Sequence, residues 1–186
     1  CNLRMKVEDL IAEMHIRRPE LVAKSGEDRY LEAVHFAEMA RQLLNYHAAL
    51  ARVSEPGVSE QGRRIVQCLG LRDAMMADNL AYAVRREQGR EGGGKVLAFA
   101  HNSHLKLGKA EWQLGGFALS WWPAGAHLSQ IFARQYAVIG TAVGVSPENG
   151  IDQPEEGTLE ARLLSVPGPV RLIATEKGRG LAPSEM

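Results

Sequence analysis

The sequence predicts an α/β domain with a helical first half and a largely parallel sheet in the second. Two observations carry this. Up to about residue 88, apolar residues recur every three to four positions, the period of a helix with one buried stripe. From about residue 95 to 176, short continuous apolar runs alternate with helical patterns, as strands covered on both faces do. The 186 residues suit a single domain or the C-terminal part of one.

In the first half, Val7, Leu10, Ile11 and Met14 place a helix over about Met5 to His15. Leu31, Val34, Phe36, Met39, Leu43, Leu44, Ala48 and Leu50 predict a longer one from about Asp28 to Val53. Ser54-Glu55-Pro56-Gly57 breaks it, because proline lacks a donor and glycine admits positive φ. A third helix starts near Ser59, whose hydroxyl suits a cap, and runs to about Arg86. Gly89 to Gly94 has nothing apolar to bury and is a loop.

Beyond it, Val96-Leu97-Ala98-Phe99-Ala100, the stretch Tyr136 to Gly144 and the stretch Val170 to Thr175 read as buried strands. Helices fit at about Gly125 to Gln135 and Thr158 to Leu164, and Lys177 to Met186 reads as a frayed tail.

Composition narrows the function. Lys plus Arg and Asp plus Glu both total 22, so the chain lacks the basic excess of a nucleic-acid or membrane-surface binder. At 45% hydrophobic and 24% charged, usage is that of a globular protein. No apolar run approaches the roughly 18 residues of a membrane span, and no signal-peptide pattern opens the chain. Two cysteines, Cys1 and Cys68, make neither a disulfide framework nor a zinc ribbon, so a reducing cytoplasm is expected. The chain opens on Cys1 and runs straight into a helical pattern, which reads as a fragment of a larger protein.

Chemistry concentrates in two places. Ala100-His101-Asn102-Ser103-His104 follows an apolar run, and ligand sites in parallel sheets form at strand carboxyl ends. Histidine titrates near neutrality and can take a proton from water or give one to a leaving group. The bland alternative makes one histidine a turn cap and leaves the other on the surface. His-x-x-His also offers two metal ligands, but no third stands at a recognised spacing. On the third helix, Arg72, Met76 and Asn79 are four and three residues apart and share a face. Arginine's fixed fork suits a carboxylate or a developing oxyanion, or else a structural acid. Trp121-Trp122-Pro123 reads as a pocket wall, a lid or a core edge.

Together, Arg72-Asp73-x-x-Met76-Ala77-x-Asn79 and Lys95-Val-Leu-Ala-Phe-Ala-His101-Asn102-Ser103-His104 resemble the erythromycin esterase family, most closely over about Arg72 to Leu107. The resemblance implies a three-layer α/β/α fold around a mostly parallel sheet. It also implies hydrolysis of an ester or lactone, macrolide rings being the named substrate, by water activated through histidine without a metal or other cofactor. His101, His104 and Arg72 match the family's paired histidines and helical arginine and are the expected catalytic residues. Asn79, Asn102 and Met76 are expected against the substrate. Phe99 and Tyr82 stand where the family often has tryptophan.

The family's N-terminal Gly-Glu-x-x-His-Gly segment is absent from this chain. Glu32-Ala33-Val34-His35 reproduces the spacing, but Leu31 and Phe36 replace the glycines and the run lies within a predicted helix. The chain is therefore expected to supply part of an active site, to be inactive alone, and to work with the missing N-terminal half and a small-molecule ester. Neither nucleic acid nor membrane is an expected partner. The alternative is a non-catalytic domain of the same architecture, holding haem, a metal or a small ligand through His101 and His104. The hydrolase reading requires Arg72 within hydrogen-bond reach of a pocket shared with one of those histidines.

Overall fold

The computed structural model describes residues 2–51 and 58–174. The expected break at Ser54 to Gly57 and the expected tail from Lys177 lie outside them, as does the Ser59 side chain. The chain divides into two compact units, residues 1–138 and 139–186.

The first unit is mainly helical. α1 (Asn2–Ile16) and α2 (Arg18–Ser25) pack on α3 (Glu27–Leu50), and α3 packs on α4 (Val58–Gln88). α2 is a helix that the periodicity missed, for it buries no residue and its Pro19 sits in the first turn, where the lost N–H costs nothing. Gly26 then separates α2 from α3 at φ 85°, a conformation that favours glycine. Between α3 and α4, the rings of His35 and Tyr82 stack at 3.6 Å, and Arg86 meets Glu32 at 2.7 Å. The Glu32-x-x-His35 run thus serves the seam between two helices.

α4 is the spine. Ile65, Val66 and Leu69 pack against Ala110, Leu119 and Trp121 of a β-hairpin. Further along, Met76, Ala77 and Leu80 pack against Ala124 and Leu128 of α6 (Ala124–Phe132). The hairpin joins β1 (Ala110–Leu114) to β2 (Phe117–Trp121) antiparallel, with Ala110 opposite Trp121 and Leu114 opposite Phe117. Its two-residue loop is Gly115-Gly116, the composition such tight turns demand.

This corrects the expected sheet. Residues 94–100, 136–143 and 170–174 form no strand, and the hairpin is the one sheet among the described residues. The described fold is mixed α/β and mostly helical, without the parallel sheet of a three-layer architecture. The reason is that apolar content alone does not make a strand; its N–H and C=O groups need a neighbour. Among the described residues no backbone–backbone hydrogen bond engages residues 95–100, and Leu97 and Phe99 are 90% and 94% exposed. Ala98 and Ala100 are half-buried, so the run keeps a strand's alternation without its ladder.

In the second unit, Ser146 and Ile151 form an antiparallel bridge around a 3₁₀ turn at Pro147–Asn149. The buried Thr158 caps α7 (Leu159–Leu164), its hydroxyl accepting from the Ala161 N–H at 3.2 Å. No helix of the described residues is long and apolar enough to cross a membrane.

Candidate active site

Asp73 lies on the buried stripe of α4, between the cluster at Leu69 and the cluster at Met76 and Ala77. The spacing Val66, Leu69, Asp73, Met76, Leu80 is that of one helix face, so the fold carries a carboxylate into a position otherwise apolar. Its side chain is 0% exposed. A buried carboxylate is costly unless its oxygens are satisfied, and here both are. Oδ2 accepts from the Trp121 indole N–H of β2, and Oδ1 meets His104 Nδ1 at 2.7 Å.

His104 comes from α5 (Asn102–Leu105), one short turn after the apolar run. Two contacts hold that turn near α4 and α6. Tyr136 donates its hydroxyl to the Leu105 carbonyl at 2.7 Å, and its apolar surroundings push its phenol pKa upward. Gly125 of α6 approaches Leu105 so closely that a Cβ there would lie 2.0 Å from the carbonyl oxygen. Only glycine fits.

The partners of His104 fix its tautomer. A carboxylate can only accept, so Nδ1 carries the proton towards Asp73. A guanidinium can only donate, and Arg72 Nη2 stands 3.3 Å from Nε2, so Nε2 presents its lone pair. The imidazole is 18% exposed, oriented on its buried side by an acid and met on the other by the exposed Arg72 guanidinium. Such an arrangement can take up a proton at Nε2 while Asp73 stabilises the resulting charge.

Arg72 is exposed, although it shares its helix face with the half-buried Met76 and Asn79. Adjacent helix residues point about 100° apart, and it is Asp73 that turns inward. The guanidinium lines an open cleft of about 350 Å³ with Tyr46, Leu50, Arg64, Ile65, Cys68 and others. Arg72 thus touches His104 on one side and this cleft on the other, while His104 is not itself among the residues that line the cleft.

The other expected site residues fall elsewhere. His101 is exposed and caps α5, its Nδ1 accepting from the Ser103 N–H at 3.2 Å and meeting the Ser103 hydroxyl at 2.8 Å. Asn102 is half-buried in the first position of α5. Met76 packs against the Ala77, Ala124 and Leu128 cluster. Asn79 is half-buried seven residues beyond Arg72, roughly 10 Å along the helix. Among the described residues, no group of three His, Cys, Asp or Glu side chains is placed to hold a metal ion.

Asp73 and Trp121 were not among the expected site residues. The signal for Asp73 was in the sequence, as an acid on an apolar helical stripe. The pairing with Trp121 joins residues 48 apart and had no local signal.

No curated protein and no solved structure matches the chain. The family model for erythromycin esterase matches residues 2–182, and the chain belongs to the erythromycin esterase family.

Proposed function

We propose that the chain supplies part of the active site of a carboxylic ester hydrolase, with Asp73, His104 and Arg72 at its centre. The observation that carries this is the continuous chain of contacts from a buried carboxylate through an imidazole to an exposed guanidinium. Family membership supports the hydrolase class.

In this reading the Arg72 fork leaves Nε2 for the substrate oxygen, and the freed Nε2 lone pair takes a proton from water as the water oxygen attacks the ester carbonyl. Asp73 holds the ring and stabilises the imidazolium, and the Arg72 fork receives the oxyanion that develops. When the tetrahedral intermediate collapses, His104 returns the proton to the departing alkoxide, giving an acid and an alcohol. His101 caps the turn that carries His104, and Asn102, Asn79 and Met76 shape the surroundings.

Substrates are esters or lactones, macrolide rings included, turned over in the cytoplasm. A segment bearing Gly-Glu-x-x-His-Gly, outside this chain, completes the water-activating site. The apolar runs at 95–100, 136–143 and 170–174 join that half in a parallel, three-layer sheet. Their exposed side chains, and the alternating burial at 97–100, 136–139 and 170–174, support this.

The test is ester turnover, with the Gly-Glu-x-x-His-Gly half present, by the protein carrying His104→Ala or Asp73→Asn. Each lowers turnover by roughly 10²-fold or more, the scale of a lost or misoriented acid-base group. His101→Ala gives a smaller loss if capping is its main part and an equal one if it also moves protons. Turnover unchanged in both His104→Ala and Asp73→Asn would refute the assignment.

A further inference from the structure

The cleft beside Arg72 has a charge pattern that the hydrolase reading leaves unused. Two of its walls are arginines on one face of α4, Arg64 and Arg72, eight residues and roughly 12 Å of helix apart. Between them the lining is apolar, from Ile65, Cys68 and Leu69, with Tyr46 and Leu50 of α3 opposite. Among the described residues that line the cleft, none is acidic. Arg64 gives one donor to the Leu50 carbonyl, at the last residue of α3, and is thereby fixed in place. A guanidinium has five donors, so the fork keeps others for a ligand.

We propose that this cleft binds an elongated apolar molecule carrying a carboxylate, with the carboxylate on Arg64 and the opposite end at Arg72 and His104. An anion gains charge-assisted hydrogen bonds at an already ordered arginine. A cationic ligand meets two like charges and no counter-charge among the described lining residues. The inference rests on the hydrolase reading for its substrate class: within it, esters with an anionic remote end are preferred over neutral ones and over amine-bearing ones such as amino-sugar macrolides. The binding itself requires no catalysis.

Calorimetric titration of the full chain with phenylbutyrate, phenylbutanol and phenylbutylamine separates the two. Phenylbutyrate binds about tenfold tighter than the alcohol, as one charged hydrogen-bonded contact predicts, and the amine binds weakest. Arg64→Gln keeps a donor for the Leu50 carbonyl but removes the charge, and abolishes the preference. Arg64→Lys, which keeps the charge, retains most of it. Equal affinity for all three probes, no binding of phenylbutyrate, or a preference that survives Arg64→Gln overturns the proposal. Carboxylate-selective binding by this chain, with no ester hydrolysis when the Gly-Glu-x-x-His-Gly half is also present, leaves this site standing and refutes only the hydrolase reading.

Discussion

The hairpin and the more apolar run just upstream of α5 both offer strand-forming residues and have opposite fates. Residues 110–121 fold into two paired strands, with Ala110, Leu119 and Trp121 buried on α4. Residues 95–100 form no strand, pair with none of the described residues through the backbone and are largely exposed. What separates them is a partner. Gly115-Gly116 turns the chain back so that each strand finds its ladder within seven residues or fewer at the turn end. The upstream run has no such return and meets no second strand among the described residues. Apolar sequence selects burial, whereas hydrogen-bonding neighbours decide whether burial takes the form of a sheet.

Substitutions sharpen this contrast, and the largest effect falls on the hairpin core. Leu119→Ala removes a buried side chain between the sheet and α4 and should cost about 3 kcal/mol of stability in denaturant unfolding. A cost under about 1 kcal/mol would mean that the hairpin is loosely held.

Trp121→Phe keeps most of the packing but leaves Asp73 Oδ2 without its donor, at an expected cost of about 1–3 kcal/mol. It should also lower ester turnover by loosening His104 through Asp73. Stability and turnover both at the unsubstituted level would show that the indole N–H does not support the carboxylate.

A pH series distinguishes the hairpin from the helical seam. Burial, followed by the nearby Arg86 charge, holds the His35 pKa below its ordinary 6.5. A base whose folded pKa is lowered binds fewer protons in the folded state, so its contribution is full above 6.5 and is lost as pH falls through the lower folded value. Helical circular dichroism at a fixed denaturant concentration should therefore drop on acidification below 6.5, and His35→Phe should flatten that drop. The same slope in both proteins would remove His35 as its source.

The smallest effect belongs to the unpaired run. Leu97→Ser and Phe99→Ser should each change the stability of this chain by less than about 0.5 kcal/mol, since both side chains are exposed. A loss above about 1 kcal/mol in either variant would show that the run is packed in solution.

Much of the helical half was legible because a 3.6-residue period needs no knowledge of the partner. α1, α3 and α4 fall close to where the apolar spacing put them, and α6 and α7 begin within one residue of expectation. α2 escaped because it buries nothing and so leaves no stripe. The hairpin left a readable trace in Gly115-Gly116 between Leu114 and Phe117, flanked by alternating apolar residues, but the more apolar run at 96–100 competed for the strand assignment. In the candidate site, Arg72 and His104 were found from their residue types and their neighbours in sequence, and Asp73 was visible only as an acid out of place on a stripe.

By itself the sequence determined the helical periods, the loop after Gly89, the family pattern and the residues with chemistry to offer. The tertiary structure alone decided that His104, rather than His101 three residues earlier, reaches a buried acid. It also decided that Trp121 secures that acid from another element. Periodicity is a property of neighbouring residues, but a hydrogen bond spanning 31 or 48 positions depends on how separate elements pack, and no local pattern encodes that distance.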